Sequence, residues 1–576
     1  MSKSVVRLPS PLAGGGSRGG GGPGPTGSCA TTIPGPSPVK GEGGSRGTAA
    51  SVAIALAISA LAAAAVSPNP VLAQAPKQGG ELKFAVVAEP PSTDCHGVTT
   101  FATVHPVGPQ YSTLLEFVGP HDKLQMNGDL AESWEVAKDG LTYTFKIRKG
   151  VKFHDGSDLT AADIKATYDR IFNPPQGVVS VRKAVHGAIN EITTPDSHTV
   201  VFKMKYVDAS MLLHFASPYN CVYSAAELAK DPNYPVKKVM GSGAFQFVEN
   251  VKGSHWKAKK FEGYFDKSRQ HLDGYTAYFV KGATVVPGLQ GGQFDAEFRG
   301  RTPKERDQLL EVMKDKVTVV EGPWVTNIQL AINNERKPFD DVRVRRAISL
   351  GIDRWGGGEA LGKVSLIKGV SGMFRPGAPW ALQGPELEKQ IGFWRDANKS
   401  REEAKRLLKE AGVPNLKLKL LNRQLGEPFT PAGIYFVDQM KRIGVEVEHA
   451  ILETKLYFDA QDKGDFDVVV TNISDFIDDP NAQFNTLLSM KKSTISYSRH
   501  KDEKVDQMYD KQSGTIDEAA RRKLVNELEA YLLDQAYSVP LLWYQRIVVN
   551  HKKVKGWELQ PSHFTGQKLL GVWLDQ

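Results

Sequence analysis

Apolar and polar residues alternate in two stretches of the first half of the chain. Residues 141–147 are apolar at every second position, and residues 200–204 repeat the pattern. A period of two predicts strands with one buried face and one solvated face. Between these stretches, Thr160 precedes a segment with helical spacing, which predicts a capped helix that ends near Arg170. This part of the chain is therefore predicted to form a small α+β unit.

The second half of the chain alternates helical patterns with strand patterns. Ser400 and Glu403 have the spacing of a capping box at the start of a helix. Residues 416–420 alternate as a strand, and a further helix is predicted near 435–443, closed by Gly444. Val468, Val469 and Val470 form a continuous apolar run of the kind that is buried on both faces of a sheet. This succession predicts an α/β domain.

The first 73 residues have the composition of a leader rather than of a folded domain. Residues 1–47 are rich in glycine, proline and serine, so they cannot bury a core. An uncharged apolar stretch from Ala49 to Val66 follows, and residues 71–73 have a small-residue cleavage pattern. We interpret this as a secretory signal that is cleaved after Ala73, which predicts a periplasmic protein. The alternative is a retained membrane anchor.

Composition and charge narrow the class of protein. The chain has 576 residues and a formal net charge of +8, with 41% hydrophobic and 24% charged residues. That length predicts two or three domains. Both charge signs are interspersed, and no dense basic block argues for a nucleic-acid partner. Of the three cysteines, Cys29 lies in the leader. Cys95 and Cys221 either pair in an oxidising compartment or remain two isolated thiols.

Residues 331–347 join a strand pattern to a helix pattern through a turn. Pro338 discourages helix before it, and Asp340 or Asp341 can cap the helix that follows. The segment resembles the Asn-x-x-x-x-Pro-Phe-Asp-Asp-x-Arg-Val-Arg-x-Ala stretch of extracellular solute-binding proteins of family 5. These are the dipeptide, oligopeptide and nickel receptors of ABC importers.

Further matches to this family occur in the same order at residues 153–163, 241–245 and 289–295, so the resemblance covers residues 79–573. The first match contains His154, which we interpret as a structural histidine; the alternative is a metal ligand.

The resemblance implies an α/β, two-lobed periplasmic binding protein fold of class C (cluster C), with an extra small α+β subdomain and a hinge between the lobes. The ligand would be enclosed between the two lobes. The implied segments are a leader with signal peptide (1–73), the first part of lobe I (74–118), the α+β insert (119–235), the return to lobe I (236–325), lobe II (326–538) and the C-terminal part of lobe I (539–576).

Segments that cross between lobes should line the ligand cleft, which nominates residues 324–327 and 541–544. A tryptophan with an apolar body and one donor suits a ligand wall, although each aromatic residue also fits an ordinary core. The predicted ligand-binding residues are Phe101, Thr103, Trp324, Asn327, Arg423, Asp475, Asp478, Trp543 and Tyr544.

Asp475 and Asp478 follow the predicted buried strand, and ligands in α/β folds sit beyond the carboxyl ends of strands. This loop resembles the one in which dipeptide-binding relatives place an aspartate against the peptide amino group. Alternatively, its acids cap a helix and Asp479 turns the chain together with Pro480. Those relatives also hold the peptide carboxylate with an arginine on the preceding helix. The corresponding residues here contain none, and Arg423 is the arginine nearby.

The family resemblance implies a receptor rather than an enzyme. After the leader, residues 74–576 contain no Gly-x-Ser-x-Gly, His-Glu-x-x-His or phosphate-binding loop. We expect a monomer without cofactor or metal that captures a small solute, such as a peptide or related amine-bearing compound, and delivers it to an inner-membrane ABC permease. The alternatives are a receptor for an opine, an oligosaccharide or a metal chelate, and a secreted hydrolase.

Overall fold

The computed structural model describes residues 5–6, 75–474, 477–493 and 495–576, without the side chains of residues 5, 6, 455 and 474. The predicted signal segment, its cleavage after Ala73 and Cys29 lie outside the described residues. Within the described ranges, no helix combines the length and the apolar character that are needed to cross a membrane.

Three larger sheets organise the described residues. The first sheet contains, in spatial order, Glu81–Val86, Gly274–Phe279, His255–Lys260 and Phe245–Val251. The second sheet is antiparallel and contains Val5–Val6, Ala131–Ala137, Thr142–Ile147, Thr199–Met204 and Ile189–Asp196. The third sheet is mixed and contains Ile367–Gly369, Ser538–His551, Val317–Ile332, Val468–Ser474, Lys417–Arg423 and Glu446–Leu452. Two short pairs complete the strands: Leu115–Val118 with Gln125–Gly128, and Val554–Lys555 with Trp573–Leu574.

Helices cover the faces of these sheets. In chain order the α-helices of the described residues are Phe101–Val107, Ala161–Phe172, Met211–His214, Ala225–Lys230, Tyr234–Lys237, Val285–Gln290, Pro303–Met313, Val342–Leu350, Arg354–Leu361, Gly384–Glu388, Ala397–Glu410, Phe429–Arg442, Thr454–Lys463, Pro480–Phe484, Glu503–Ser513 and Glu518–Gln535. The largest buried cluster lies between the third sheet and the helices Val342–Leu350, Ala397–Glu410 and Phe429–Arg442. A separate cluster lies between the second sheet and the helix Ala161–Phe172. A third cluster includes Leu82, Phe84, Trp256 and Tyr275 of the first sheet, so each sheet has a core of its own.

Several local predictions are confirmed. Tyr143, Phe145 and Ile147 are buried, and the residues between them are partly or fully exposed, as a period of two requires. Asp341 caps the helix Val342–Leu350 by accepting a hydrogen bond from the backbone N–H of Arg343 (2.8 Å). The cap depends on close sequence neighbours, and the alternation of the strand records which of its two faces is buried, although its hydrogen bonds are made with Ala131–Ala137 and Thr199–Met204.

Two predicted helix starts are wrong. The helix that was predicted to begin with a Ser400–Glu403 capping box begins at Ala397, and Asp396 caps it by accepting from Asn398 and Lys399. The helix predicted near 435–443 is Phe429–Arg442, since Pro431 lies in its first turn, where proline is tolerated. Its end is correct, and Gly444 follows with a φ of 82°.

The two open alternatives for Cys95 and Cys221 are resolved in favour of pairing. Their sulfur atoms form a disulfide that joins residues 126 positions apart in the sequence. His154 makes the contacts of a structural histidine. One ring nitrogen accepts from the backbone N–H of Gly241 (3.4 Å), and the other is hydrogen-bonded to the carbonyl of Gly243 (3.1 Å). Burial lowers the pKa of His154 to about 4. The boundaries predicted for the lobe segments stay predictions.

Candidate ligand-binding site

A cavity of about 580 Å³ lies between parts of the chain that are far apart in sequence. Phe117 and His121 come from one part, Leu212 and Leu213 from a second. The remaining lining residues used below are Val325, Arg375, Trp380, Asp478, Arg521, Pro561 and Ser562. In the predicted division of the chain, these residues belong to both lobes and to the insert. The size is in the range of about 300–1,000 Å³ that is typical of small-molecule sites.

Asp478 faces a cation that the protein itself supplies. Its Oδ2 lies 2.6 Å from Nε of Arg375, and both side chains are about nine-tenths buried. Burial raises the pKa of Asp478 to about 6, although Arg375 acts in the opposite direction. From the sequence, we expected a cationic group of the ligand to balance the charge of Asp478. In the structure, Arg375 balances it. Asp478 as a ligand contact stays a prediction, and Asp475 lies outside the described residues.

Asp479 is the acid that caps a helix in this loop. It accepts from the backbone N–H of Asn481 (2.8 Å) at the start of Pro480–Phe484. Its carboxylate also receives the Ser210 hydroxyl and lies 3.1 Å from the Arg521 guanidinium. Arg521 donates in turn to the Ser210 Oγ (2.9 Å), and all three side chains are buried. This interlobe network joins the predicted insert to predicted lobe II beside the cavity.

A second group of side chains, the aromatic cluster, lies where the long strand Val317–Ile332 meets Ser538–His551. The rings of Trp324 and Tyr544 are 5.7 Å apart and edge to face, and Trp324 Nε1 donates to Nδ1 of His563 (3.0 Å). The ring of Phe101 lies 5.9 Å from that of His563. Burial lowers the pKa of His563 well below its usual value, so its imidazole is neutral and able to accept this bond.

The aromatic cluster also contains a cation that the sequence analysis did not find. The Arg299 guanidinium carbon lies 4.9 Å from the ring centre of Phe101 and 5.9 Å from that of Trp324. Three predicted ligand residues are thus brought together, namely Phe101, Trp324 and Tyr544. Arg299 and His563 were missed because each lies in an irregular segment without a motif. Only contacts between remote parts of the chain place Arg299 and His563 beside Phe101 and Trp324, and the sequence does not show these contacts.

The other predicted site residues lie elsewhere. Thr103 Oγ1 donates to the carbonyl of Ser92 (2.9 Å), and Trp543 Nε1 donates to that of Gly372 (3.0 Å). Both contacts are internal to the fold. Asn327 pairs with Trp543 in the sheet, and its fully buried amide has no hydrogen-bond partner among the described residues. A ligand role for Thr103, Asn327 or Trp543 stays a prediction.

Arg423 lies at the end of the strand Lys417–Arg423, where its Nε donates to Thr454 Oγ1 (3.1 Å) and its guanidinium lies over Phe458 at 5.3 Å. Burial raises the pKa of Tyr544. Arg299 and Arg423 each act to lower it and Glu427 to raise it, so Tyr544 experiences the charges of both arginines.

Comparison with known proteins shows the class of protein that this fold defines. Helicobacter pylori DppA, solved in complex with the peptide STSA, has a TM-score of 0.71 at 23% identity over 87% of this chain and 99% of its own. Listeria monocytogenes CtaP, an ABC transporter substrate-binding protein, has a TM-score of 0.75 at 20% identity over 87% of this chain and 100% of its own. These likenesses show the fold, and the predicted two-lobed periplasmic binding protein fold is confirmed.

Residues 125–494 match the family described as bacterial extracellular solute-binding proteins, family 5 Middle. The chain belongs to this family, as predicted, and the family and fold are those of substrate-binding receptors.

Curated relatives are named for different ligands. The glutathione-binding protein of Pectobacterium atrosepticum is 33% identical over 294 residues, which are 50% of this chain and 53% of the relative. The chain thus spans about half the length of the glutathione-binding relatives that it matches. The di/tripeptide-binding protein 2 of Pseudomonas aeruginosa is 27% identical over 82% of this chain and 90% of its own. Heme-binding protein A of Haemophilus influenzae is 26% identical over 81% of this chain and 87% of its own.

Proposed function

We propose that this protein is the solute-binding receptor of an ABC importer and that it encloses a small solute between its lobes. The observation that carries the proposal is the cavity of about 580 Å³ that distant parts of the chain line together. A solute that touches both lobes stabilises the conformation in which they are close, which is the basis of capture by hinge closure. The solute would pass unchanged to an inner-membrane permease.

The relatives support a peptide or a related compound that bears an amine as the solute. Their names include glutathione and di/tripeptides, and both are short chains with charged termini. The cavity wall is polar enough for such a molecule, because the ion pair of Arg375 with Asp478 and the paired Arg521 line it. A periplasmic location, with a signal peptide that ends at Ala73, belongs to the same proposal.

Capture from a mixture tests this function because it requires no choice of ligand in advance. The purified protein would be mixed with a partial protein hydrolysate, separated from free solutes and denatured, and the released compounds would be identified by mass spectrometry. We expect a defined set of small solutes at up to one equivalent, each with an unchanged mass after long incubation. Release of nothing above background, or conversion of the solutes to products, would contradict the proposal.

A variant that fills the cavity provides the matched test. Leu213→Trp places a larger side chain on the cavity wall, and Leu310→Trp makes the same change at an exposed helix position. We expect Leu213→Trp to weaken binding by about tenfold or more, equivalent to ~1.4 kcal/mol, and Leu310→Trp to leave it unchanged. Calorimetry with a captured solute would measure both affinities. Equal affinities would place the binding site elsewhere.

A further inference from the structure

Arg299 is a partly buried cation without an anion among the described residues. Its guanidinium makes no hydrogen bond or ion pair with any residue that the structure describes, and its Nε is buried without a partner. Its ring contacts are with Phe101 and Trp324. Stacking stabilises a guanidinium face but leaves the N–H groups at its edge unsatisfied. Arg299 is therefore held in place while its donors remain available.

The acidic residue beside Arg299 is already occupied. Glu297 is almost fully buried, and its carboxylate lies 3.0 Å from the Arg301 guanidinium. It also accepts the backbone N–H groups of Arg299 (3.0 Å) and Gly300 (3.1 Å). These contacts direct the carboxylate of Glu297 toward the backbone and Arg301. The Arg299 side chain receives only its longer-range field.

Other buried arginines of the described residues differ from Arg299 in this respect. Arg546 donates to the carbonyls of Arg299, Gln560 and Phe298. Arg375 and Arg521 lie against Asp478 and Asp479. Burial of a charge is costly unless it is paired or hydrogen-bonded, and these arginines follow that rule.

Arg423, from another part of the chain, acts on Tyr544, as Arg299 also does. Arg423 has no carboxylate partner among the described residues, and its guanidinium lies 5.8 Å from the ring of Phe429. Phe429, Trp324 and Tyr544 belong to one buried cluster, so Arg299 and Arg423 flank the same group of side chains. The Tyr544 hydroxyl makes no hydrogen bond with a described residue. Glu427 also acts on Tyr544, but its carboxylate accepts from the Ser365 hydroxyl (2.6 Å) and the Leu366 backbone N–H (3.3 Å). The guanidinium donors of the two arginines therefore exceed the carboxylate acceptors of this region.

We propose that Arg299 binds an anionic group of the solute, a carboxylate held by the edge of its guanidinium between Phe101 and Trp324. This inference rests on the proposed receptor function and adds that the solute is an acid. A guanidinium matches a carboxylate through two parallel N–H···O bonds, and such charge-assisted pairs are stronger than neutral hydrogen bonds. In this proposal a cation of the protein binds an anion of the solute. The sequence analysis emphasised the opposite pair, an aspartate of the protein with an amino group of the ligand.

The test compares one hydrolysate in two chemical forms. One half is left as free acids, and the other half is converted to methyl esters, which removes the carboxylate charge and leaves the amines intact. The wild-type protein is loaded with each form and its captured solutes are quantified by mass spectrometry. We expect capture from the free acids and a loss of roughly 30-fold or more from the esters, as for a charged pair that loses one partner.

Variants assign this discrimination to one side chain. Arg299→Gln should bind acids and esters equally weakly, and Arg299→Lys should retain part of the preference for acids. Arg395→Gln is the matched control, because Arg395 stacks on Trp355 at 3.4 Å but is exposed and paired with Glu388. Melting curves would verify that each variant is folded, and the wild-type comparison needs no variant.

The outcomes separate this inference from the proposed function. Equal capture of acids and esters by the wild-type protein, or an undiminished preference in folded Arg299→Gln, would overturn the anion site and leave the receptor function intact. Capture of nothing from either form would contradict the receptor function and this inference with it.

Discussion

Glu529 is a fully buried carboxyl group that holds a wall of the cavity. Its two oxygens accept the backbone N–H groups of Met373 (2.6 Å) and Leu382 (3.1 Å). The loop between those residues contributes Arg375 and Trp380 to the cavity. Hydrogen bonds from N–H groups favour the ionised carboxylate, but burial is the larger influence and raises the pKa of Glu529 to about 7.

This raised pKa predicts a pH dependence of stability. Between the ordinary value of 4.5 and about 7, the folded protein retains a proton on Glu529 that the unfolded chain releases. The contribution of Glu529 to stability therefore falls as the pH rises through this window, by at most ~3 kcal/mol. Denaturant unfolding of wild type and Glu529→Gln at several pH values would measure the difference between their free energies of unfolding.

The free energy of unfolding of the wild type should fall relative to that of Glu529→Gln as the pH rises. Glu527→Gln, at an exposed position of the same helix, is the control and should track the wild type at every pH. A constant difference between wild type and Glu529→Gln would show that Glu529 does not titrate in this window.

At the scale of elements, the helix Glu518–Gln535 carries two adjacent arginines with opposite surroundings. Arg521 is buried in the interlobe network with Asp479 and Ser210. Arg522 is exposed and pairs with Glu518 at 3.0 Å across one helical turn. Two neighbouring arginines of one helix therefore form a buried ion pair and a surface ion pair.

We expect Arg521→Leu to lower the free energy of unfolding by roughly 3–5 kcal/mol, because it leaves the Asp479 carboxylate buried without its cation. Arg522→Leu should change it by less than about 0.5 kcal/mol, since surface pairs contribute little. Urea unfolding of both variants gives the comparison. An effect of Arg521→Leu as small as that expected for Arg522→Leu would show that the interlobe network does not stabilise the folded protein.

At the scale of the whole molecule, the disulfide between Cys95 and Cys221 connects the predicted first part of lobe I to the end of the predicted insert. A cross-link that closes a long loop reduces the conformational freedom of the unfolded chain. We expect the double variant Cys95→Ser/Cys221→Ser to be less stable than the wild type by ~2–5 kcal/mol.

Denaturant unfolding with and without reductant would test this. Reductant should bring the unfolding midpoint of the wild type down to that of the double variant and leave the double variant unchanged. A wild-type midpoint that does not respond to reductant during full unfolding would contradict a stabilising disulfide.

The amino-acid sequence by itself determined the elements and the family. The cap at Asp341 is a hydrogen bond within a few residues, and the alternation around Phe145 shows which face of the strand is buried, so a local pattern contains this information. Even locally the pattern has limits. Ser400 and Glu403 have capping-box spacing inside a helix, and the Ser400 hydroxyl donates instead to the carbonyl of Leu350 (2.8 Å).

Only the tertiary structure decided which side chains come together in the candidate site. Asp478 was predicted from its position after a buried strand, but Arg375, which neutralises it, comes from a distant part of the chain. Arg299 belongs to no motif in the sequence, and its proposed role depends on contacts with Phe101 and Trp324, which come from other parts of the chain. Charge balance in a buried site depends on distances of a few ångströms between remote residues. No local pattern of apolar and polar positions encodes those distances, and folding alone sets them.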